Sequence, residues 1–197
     1  LHLCNKNMVK MDTNNYSKAK NDLLLDVCMA AKYEGNSIET HYTIHQATYD
    51  DSDSKICTVL ARSFADIGDI IRGKDLYRGN SKEKNRRDDL ENKLKEIFEK
   101  IHDDVTKEKR SRYNGDKNNN FFKLREDWWT ANRATVWKAI TCSEDLNNSS
   151  YFHATCSMNG SGAQANKYCR CNGDKPDDDK PNIDPPTYFD YVPQYLR

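Results

Sequence analysis

The sequence contains seven cysteines, which could form disulfides or bind a metal; they are at positions 4, 28, 57, 142, 156, 169 and 171. Cysteines form disulfides in oxidising compartments, whereas in the cytosol they bind metals or remain thiols. A zinc site would need His153, Cys156, Cys169 and Cys171, and their spacing differs from the paired Cys-x-x-Cys pattern of structural zinc. We therefore predict disulfides and no metal or other cofactor, with a zinc-binding helical protein as the less favoured alternative.

The positions of four cysteines suggest two pairs. Cys28 and Cys57 each fall within a predicted helix that has an apolar face, so packing of those faces would bring the two thiols together. A bridge closing a loop of about 30 residues would contribute roughly 3–4 kcal/mol in the chain-entropy model. We also expect Cys4 to pair with Cys142, which would tie the start of the chain to the end of its last long helix.

The remaining three cysteines cannot all pair with each other. Cys169 and Cys171 are separated by one residue, which is too short for an unstrained bridge between them. We expect Cys156 to pair with one of the two and the other to stay a free thiol. Because the total of seven is odd, the free thiol would have its partner outside the given sequence.

A second group with chemical potential is basic and surrounds the predicted start of a long helix. Clusters of this kind bind sulfated or phosphorylated polyanions through several cations at once. The acidic residues Glu83, Asp88 and Asp89 interrupt the run, so a solvated charged face is the alternative interpretation. The candidate glycan-binding residues are Arg72, Lys74, Arg78, Lys82, Lys84, Arg86 and Arg87.

No arrangement of residues predicts catalysis. His41 and His45 have the spacing of half a zinc-protease motif, but Tyr42 occupies the position of the catalytic glutamate. The glycines flanking Ser161 do not have the five-residue spacing of a nucleophile elbow. Lys+Arg and Asp+Glu number 31 each, so the net charge favours no nucleic-acid partner. We predict that the chain is not an enzyme and assign it no catalytic residues.

The elements that must position these residues are helices. Apolar residues recur every three or four positions, which predicts amphipathic helices, and no stretch alternates as a half-buried strand would. The predicted helices cover residues 17–33, 36–48, 55–72, 81–105 and 121–141, with Gly35 and Gly73 ending two of them. Helices joined by short connections predict an all-α bundle with disulfide-linked loops.

The domain organisation follows from where this periodicity stops. Residues 1–142 form the predicted helical-bundle subdomain, and 143–186, rich in Asn, Gly, Asp and Pro, form a cysteine-containing loop or linker. Residues 187–197 become apolar again and are expected to begin a following subdomain that is cut short. The sequence begins without Met and ends in an aromatic-rich run, so we expect it to be a piece of a longer domain.

Four long sequence blocks carry a family resemblance. Residues 61–77 (ARSFADIGDIIRGKDLY) are similar to the signature helix of the Duffy-binding-like domains, in the alpha type of the malarial erythrocyte membrane protein adhesins. Three further blocks agree in order: residues 1–4 (LHLC), residues 125–133 (REDWWTANR) continuing to 137–142 (WKAITC), and residues 186–197 (PTYFDYVPQYLR).

The resemblance implies an all-helical adhesion fold, represented here mainly by its middle subdomain. It implies display on the outer face of the infected red-cell membrane as part of a larger membrane-anchored adhesin. The implied partners are red-cell or endothelial receptors, sulfated glycans such as heparan-sulfate-like chains, antibodies and the rest of the multidomain adhesin. The implied function is cytoadhesion and rosetting with antigenic variation, the variable segments being about 79–120 and 143–182. A structural spacer, with binding located elsewhere, is the main alternative.

Overall fold

The computed structural model describes the chain apart from residues 1, 2, 5, 16, 17, 50–55, 77, 78, 106–108, 110, 157–161, 172–174 and 177–183, and apart from the side chains of residues 15 and 43–49. The described helices are α1 (Lys6–Val9), α2 (Ala19–Tyr49), α3 (Ile56–Arg72), α4 (Ser81–Asp104) and α5 (Phe122–Ile140). Within the described residues, extended pairing is limited to the isolated bridges Cys156–Ala163 and Lys167–Arg170. The predicted all-α class is confirmed.

The longest helix corrects one prediction. We expected Gly35 to end a helix at 33, but α2 runs without a break from Ala19 to Tyr49. Gly35 is buried in its interior, where a methyl group would lie only 2.1 Å from the carbonyl oxygen of Ile140. The glycine therefore allows α2 to approach the end of α5 closely, and it does not terminate the helix. Ser17, the predicted N-cap, lies outside the described residues.

Aromatic side chains fill the contact between α3 and α5. The ring of Phe64 lies 5.1 Å from that of Trp129 and 5.2 Å from that of Trp137, and all three are buried. Gly68 lies directly under Trp129, so a methyl group there would approach the indole to 2.7 Å. Offset and edge-to-face aromatic pairs stabilise a core beyond simple area burial. The two helices are thus packed tightly along their shared face.

Helix α4 begins at a well-formed cap and attaches the N-terminal segment. Asn80 and Glu83 form a reciprocal capping box, which satisfies two of the free N–H groups at the helix start. Further along, Lys93 donates to the carbonyl of Val9 at 2.6 Å, and Lys100 donates to the carbonyl of Thr13. The segment before α2 is therefore held across α4, as the burial of Leu3, Met8 and Met11 also shows.

Both ends of α5 are capped by side chains from outside the helix. At its start, the buried Asp116 accepts from the backbone N–H groups of Lys123 and Leu124. At its end, the buried Arg170 donates to the carbonyl oxygens of Lys138 and Thr141. A negative group at the N-terminus and a cation at the C-terminus both complement the helix dipole. These caps fix the central helix to the loops on either side of it.

The last described segment, 184–197, lies against α3 and α5. Thr187 and Asp190 are 0% and 1% exposed, and two 3₁₀ turns, Phe189–Tyr191 and Gln194–Leu196, shape the segment. Hydrogen bonds from Arg133 and Arg72 to Asp190 hold this segment beside the bundle. The division of the chain at 142 and 187, and a following subdomain, stay predictions.

Candidate receptor-binding surface

A buried charge cluster holds the last segment on the bundle. Asp190 accepts two hydrogen bonds from Arg133, at 2.8 and 2.9 Å, and a third from the indole of Trp129 at 2.9 Å. Burial disfavours the charge on Arg133, but its hydrogen bonds to Asp190 and the attraction of that carboxylate outweigh this effect and raise the pKa of Arg133. This cluster fixes the surface on which Tyr188 and Tyr191 are exposed.

The structure places the first predicted glycan-binding residue in the interior. Arg72 is 2% exposed and donates to the carbonyl of Gly68 at 3.0 Å and to Asp69 at 2.9 Å. It also donates to the backbone carbonyl of Asp190, 118 residues further along the chain. Arg72 therefore joins the last segment to α3 and is not available to a surface ligand, contrary to the prediction.

Three other predicted residues differ in their surroundings. Lys74 forms an ion pair with Glu126, and Arg87 forms one with Asp75. Arg78 lies outside the described residues, so its predicted role stays untested. Pairing lowers the attraction that Lys74 and Arg87 offer to an external anion, because each cation already has a carboxylate beside it.

The remaining three predicted residues present their charges to solvent. Lys82, Lys84 and Arg86 are exposed at the start of α4 and form no ion pair with any residue that the structure describes. Lys82 and Arg86 are four residues apart on the helix and share one edge. Lys84 lies on the other side, next to Arg87. The predicted basic run is therefore divided between two edges of α4.

The cysteines pair differently from the prediction. Cys57 is bonded to Cys169, with Cα atoms 5.5 Å apart, and Cys156 is bonded to Cys171. The expectation that Cys156 would take Cys169 or Cys171 is confirmed, whereas the predicted Cys28–Cys57 bridge and the free thiol among the three loop cysteines are wrong. Cys57 lies at the start of α3, so its bond to Cys169 attaches the cysteine-containing loop to that helix.

The other three cysteines are free thiols in the structure: Cys4 and Cys28 are half-buried and Cys142 is exposed. The predicted Cys4–Cys142 bridge is therefore absent. Burial raises the pKa of the Cys28 thiol to about 11, and burial is also the largest cause of the raised pKa of Cys4.

The zinc alternative is contradicted by the same disulfides, since they consume Cys156, Cys169 and Cys171. The ring of His153, the fourth proposed ligand, lies against that of Phe152, with centroids 3.9 Å apart and planes tilted by 40°. Of the paired histidines on α2, His41 is exposed, and the side chain of His45 lies outside the described residues. Among the residues that the structure describes, no group of His, Cys, Asp and Glu side chains has the arrangement of a metal site.

The chain is a disulfide-linked helical bundle with charged and aromatic side chains exposed on its surface. The model of the Duffy-binding domain family matches residues 1–197, and the chain belongs to this family. A search of curated proteins gave no match.

Solved structures of the same family resemble the chain over 72–99% of its length. The NTS-DBL1α1 domain of Plasmodium falciparum membrane protein 1 (PfEMP1) from the varO strain is 37% identical with a TM-score of 0.73, over 99% of this chain and 40% of that one. The varO double domain of NTS-DBL1α and CIDRγ is 40% identical with a TM-score of 0.66, over 89% and 23%. An ICAM-1-binding DBLβ domain of PfEMP1 is 35% identical with a TM-score of 0.61, over 72% and 33%.

The chain thus corresponds to less than half the length of each of these relatives. Across the described residues, no helix combines the length and apolar character needed to cross a bilayer. The sequence blocks at 61–77 and 125–133 supplied the signal for the family. The Arg133–Asp190 cluster was missed, although both residues stand within quoted blocks, because no local pattern reveals a contact across 57 residues.

Proposed function

We propose that this chain is part of a host-receptor-binding adhesion module displayed on the outer face of the infected red-cell membrane. Its membership of the Duffy-binding family carries this proposal, together with its likeness to a PfEMP1 domain described as ICAM-1-binding. The function is recognition rather than catalysis. Cytoadhesion, rosetting and antigenic variation are the processes it would serve, as one part of a larger membrane-anchored adhesin.

Two classes of receptor fit this proposal. Protein receptors are supported by the ICAM-1-binding relatives, one of which was solved with human ICAM-1 bound. Red-cell glycans and heparan-sulfate-like chains are supported by the exposed basic residues Lys82, Lys84 and Arg86 on α4. Antibodies would meet the exposed positions of the segments at about 79–120 and 143–182, since exposed substitutions change stability by only about 0.5 kcal/mol or less.

The proposal that the chain binds sulfated glycans is tested by charge reversal at the edge formed by Lys82 and Arg86. Contact between exposed cations and sulfates weakens with salt, because the screening length falls from about 10 Å at 0.1 M to about 3 Å at 1 M. The double variant Lys82→Glu/Arg86→Glu is expected to elute from immobilised heparin at lower salt than the wild type. Circular dichroism should show unchanged helicity, because both side chains are exposed at the start of α4 and neither is part of the buried core.

A matched control separates a local site from overall charge. Lys20→Glu/Lys32→Glu changes the net charge equally at exposed positions of α2. If this control lowers the elution salt as much as the α4 double variant does, retention reflects net charge and the proposed site is wrong. If neither variant nor wild type is retained, glycan binding by this chain is excluded, and a protein receptor or the spacer alternative becomes the better account.

A further inference from the structure

An Asn-Gly pair, Asn114–Gly115, forms the turn between two short 3₁₀ helices, Ser111–Tyr113 and Asp116–Asn119. Both residues of the pair are exposed. Gly115 has a φ of 79°, a backbone conformation that favours glycine, and a methyl group added to it would meet nothing within 4 Å. The peptide bond between the two residues therefore lies in open surroundings at the surface.

Hydrogen bonds restrain this pair very little. In the part of the chain that the structure describes, the N–H of Gly115 donates to no acceptor and the side-chain amide of Asn114 forms no hydrogen bond. The backbone N–H of Asn114 donates to the carbonyl of Ser111 at 3.4 Å, which is longer than usual for such a bond. The side chain of Asn114 is thus free to turn towards the backbone nitrogen that follows it.

This arrangement permits a reaction between the two neighbours. The Gly115 nitrogen, after losing its proton to solvent base, attacks the side-chain carbonyl carbon of Asn114. The new C–N bond closes a succinimide ring, and the side-chain nitrogen leaves as ammonia. Water then opens the ring at one of its two carbonyl carbons, which gives aspartate or isoaspartate at position 114. An oxygen from water replaces the lost nitrogen, and no atom is oxidised or reduced.

The turn leads directly into the cap of α5. Asp116, the residue after Gly115, is 6% exposed and accepts hydrogen bonds from the backbone N–H groups of Lys123 and Leu124, at 3.1 and 2.9 Å. Isoaspartate carries the main chain through its side-chain carbon, so it inserts a methylene group two residues before this cap. Caps of this kind stabilise a helix start by about 0.5–2 kcal/mol. A displaced Asp116 would therefore loosen the first turn of α5.

We propose that Asn114 is a site of spontaneous deamidation in the folded protein, with water as the co-reactant, and that its isoaspartyl form loosens the start of α5. The proposal concerns the chemical ageing of the chain and does not depend on receptor binding. Asn118 and Asn119 are exposed in the same loop, but each is followed by another asparagine, whose side chain obstructs the attack. These two residues therefore provide internal controls.

Incubation in heavy-oxygen water reports the reaction directly, because deamidation places the heavy oxygen at position 114. The folded protein is incubated at physiological pH and then digested with trypsin in ordinary water. Cleavage after Arg112 and Lys117 separates residues 113–117, which contain Asn114, from the control peptide 118–123. Mass spectrometry should show label in the first peptide that grows with time and with pH, and several-fold less label in the second.

A synthetic peptide of residues 113–117, treated in the same way, gives the reaction rate without the fold. We expect the folded protein to react within a few-fold of this rate, because the turn leaves the Asn114–Gly115 pair exposed and unrestrained. The proposal is overturned if the folded protein takes up no label at Asn114. It is equally overturned if peptide 118–123 is labelled as fast as 113–117.

Two variants separate the reaction from its effect on α5. Asn114→Gln should lose the label, since its longer side chain would have to close a less favoured ring, and Asn114→Asp carries the added charge on an ordinary backbone. Once most of the wild type is labelled, its midpoint of thermal unfolding should lie below those of both variants aged alongside it. The Asn-Gly pairs at 159 and 172 are common to all three proteins, so their ageing cancels. Equal midpoints would contradict the loosening of α5.

Discussion

Single residues hold the last segment of the chain in place, and Asp190 is central among them. Its carboxylate is buried and receives hydrogen bonds from Arg133 and Trp129. The sequence indicated neither this role nor that of Arg72, which we had assigned to a glycan surface. A basic residue in a charged run is predicted to be exposed when its binding partner is unknown. The partner of Arg72 is the backbone carbonyl of Asp190, 118 residues further along the chain.

Removing the Asp190 carboxylate should destabilise the protein strongly. Asp190→Ala leaves the buried guanidinium of Arg133 without its counter-ion, and breaking one partner of a buried pair costs about 3–5 kcal/mol. Urea unfolding followed by circular dichroism measures this loss. Asp104→Asn, at an exposed position of α4, should change the unfolding free energy by less than about 0.5 kcal/mol. Equal stabilities of the two variants would show that the cluster does not fasten the segment.

The free thiols should differ in reactivity according to their burial. Because burial raises the pKa of Cys28 to about 11, its thiolate at pH 8 is about 100-fold scarcer than that of an ordinary thiol. Iodoacetamide should therefore modify the exposed Cys142 first and Cys28 last, as peptide mass spectrometry can follow with time. In denaturant all three free cysteines should react at similar rates. Fast modification of Cys28 in the folded protein would contradict its burial.

At the scale of the elements, periodicity predicted three helices closely and misjudged one. The predicted spans 55–72 and 81–105 differ from α3 and α4 by one residue at one end, and the span 121–141 differs from α5 by one residue at each end. Gly35 misled the prediction for α2, since a glycine that permits close packing and a glycine that ends a helix look alike in sequence. Gly73 does end α3, with a φ of 71° that favours glycine.

The close contact at Gly35 gives a direct test. Gly35→Ala would place a methyl group against the carbonyl of Ile140, and neither backbone can move without shifting its helix. We expect a loss of about 3 kcal/mol, at the upper end of the overpacking range. Gly115→Ala is the comparison, because Gly115 has a positive φ but nothing within 4 Å of the added methyl group. A smaller loss at Gly35 than at Gly115 in thermal unfolding would refute the packing role.

The two disulfides should contribute unequally to the free energy of unfolding. Cys57–Cys169 joins residues 112 apart and Cys156–Cys171 joins residues 15 apart. In the chain-entropy model the longer loop contributes about 4.7 kcal/mol and the shorter about 3 kcal/mol. Denaturant unfolding of Cys57→Ser/Cys169→Ser and Cys156→Ser/Cys171→Ser should give this order, with Cys142→Ser close to wild type. The reverse order would show that strain or residual structure outweighs loop closure.

The pairing itself could not be predicted from helical faces. Sequence shows that Cys28 and Cys57 stand on amphipathic helices, but it does not give the rotation of one helix relative to the other. In the structure Cys28 is free, while Cys57 meets the loop cysteine 112 residues away. Long-range contacts of this kind depend on the assembled fold, whereas helix spans depend on local spacing.

At the scale of the whole molecule, a tightly packed core carries exposed charged and aromatic surfaces. The aromatic contacts of α3 with α5, the two disulfides and the Asp190 cluster join the bundle, the cysteine loop and the last segment. The exposed start of α4, with Lys82 and Arg86, stands on this core. Such a construction suits recognition, because a preorganised surface loses little conformational entropy when a receptor binds.

Binding to host cells tests the central claim most directly. The folded protein, fluorescently labelled and multimerised, is titrated onto human red cells and endothelial cells, with the reduced and alkylated protein as the matched control. The account predicts saturable binding to at least one cell type by the folded protein and its loss after reduction, since the disulfides hold the surface together. Equal binding by folded and reduced protein, or no saturable binding to either cell type, would contradict an adhesion module and support a structural spacer.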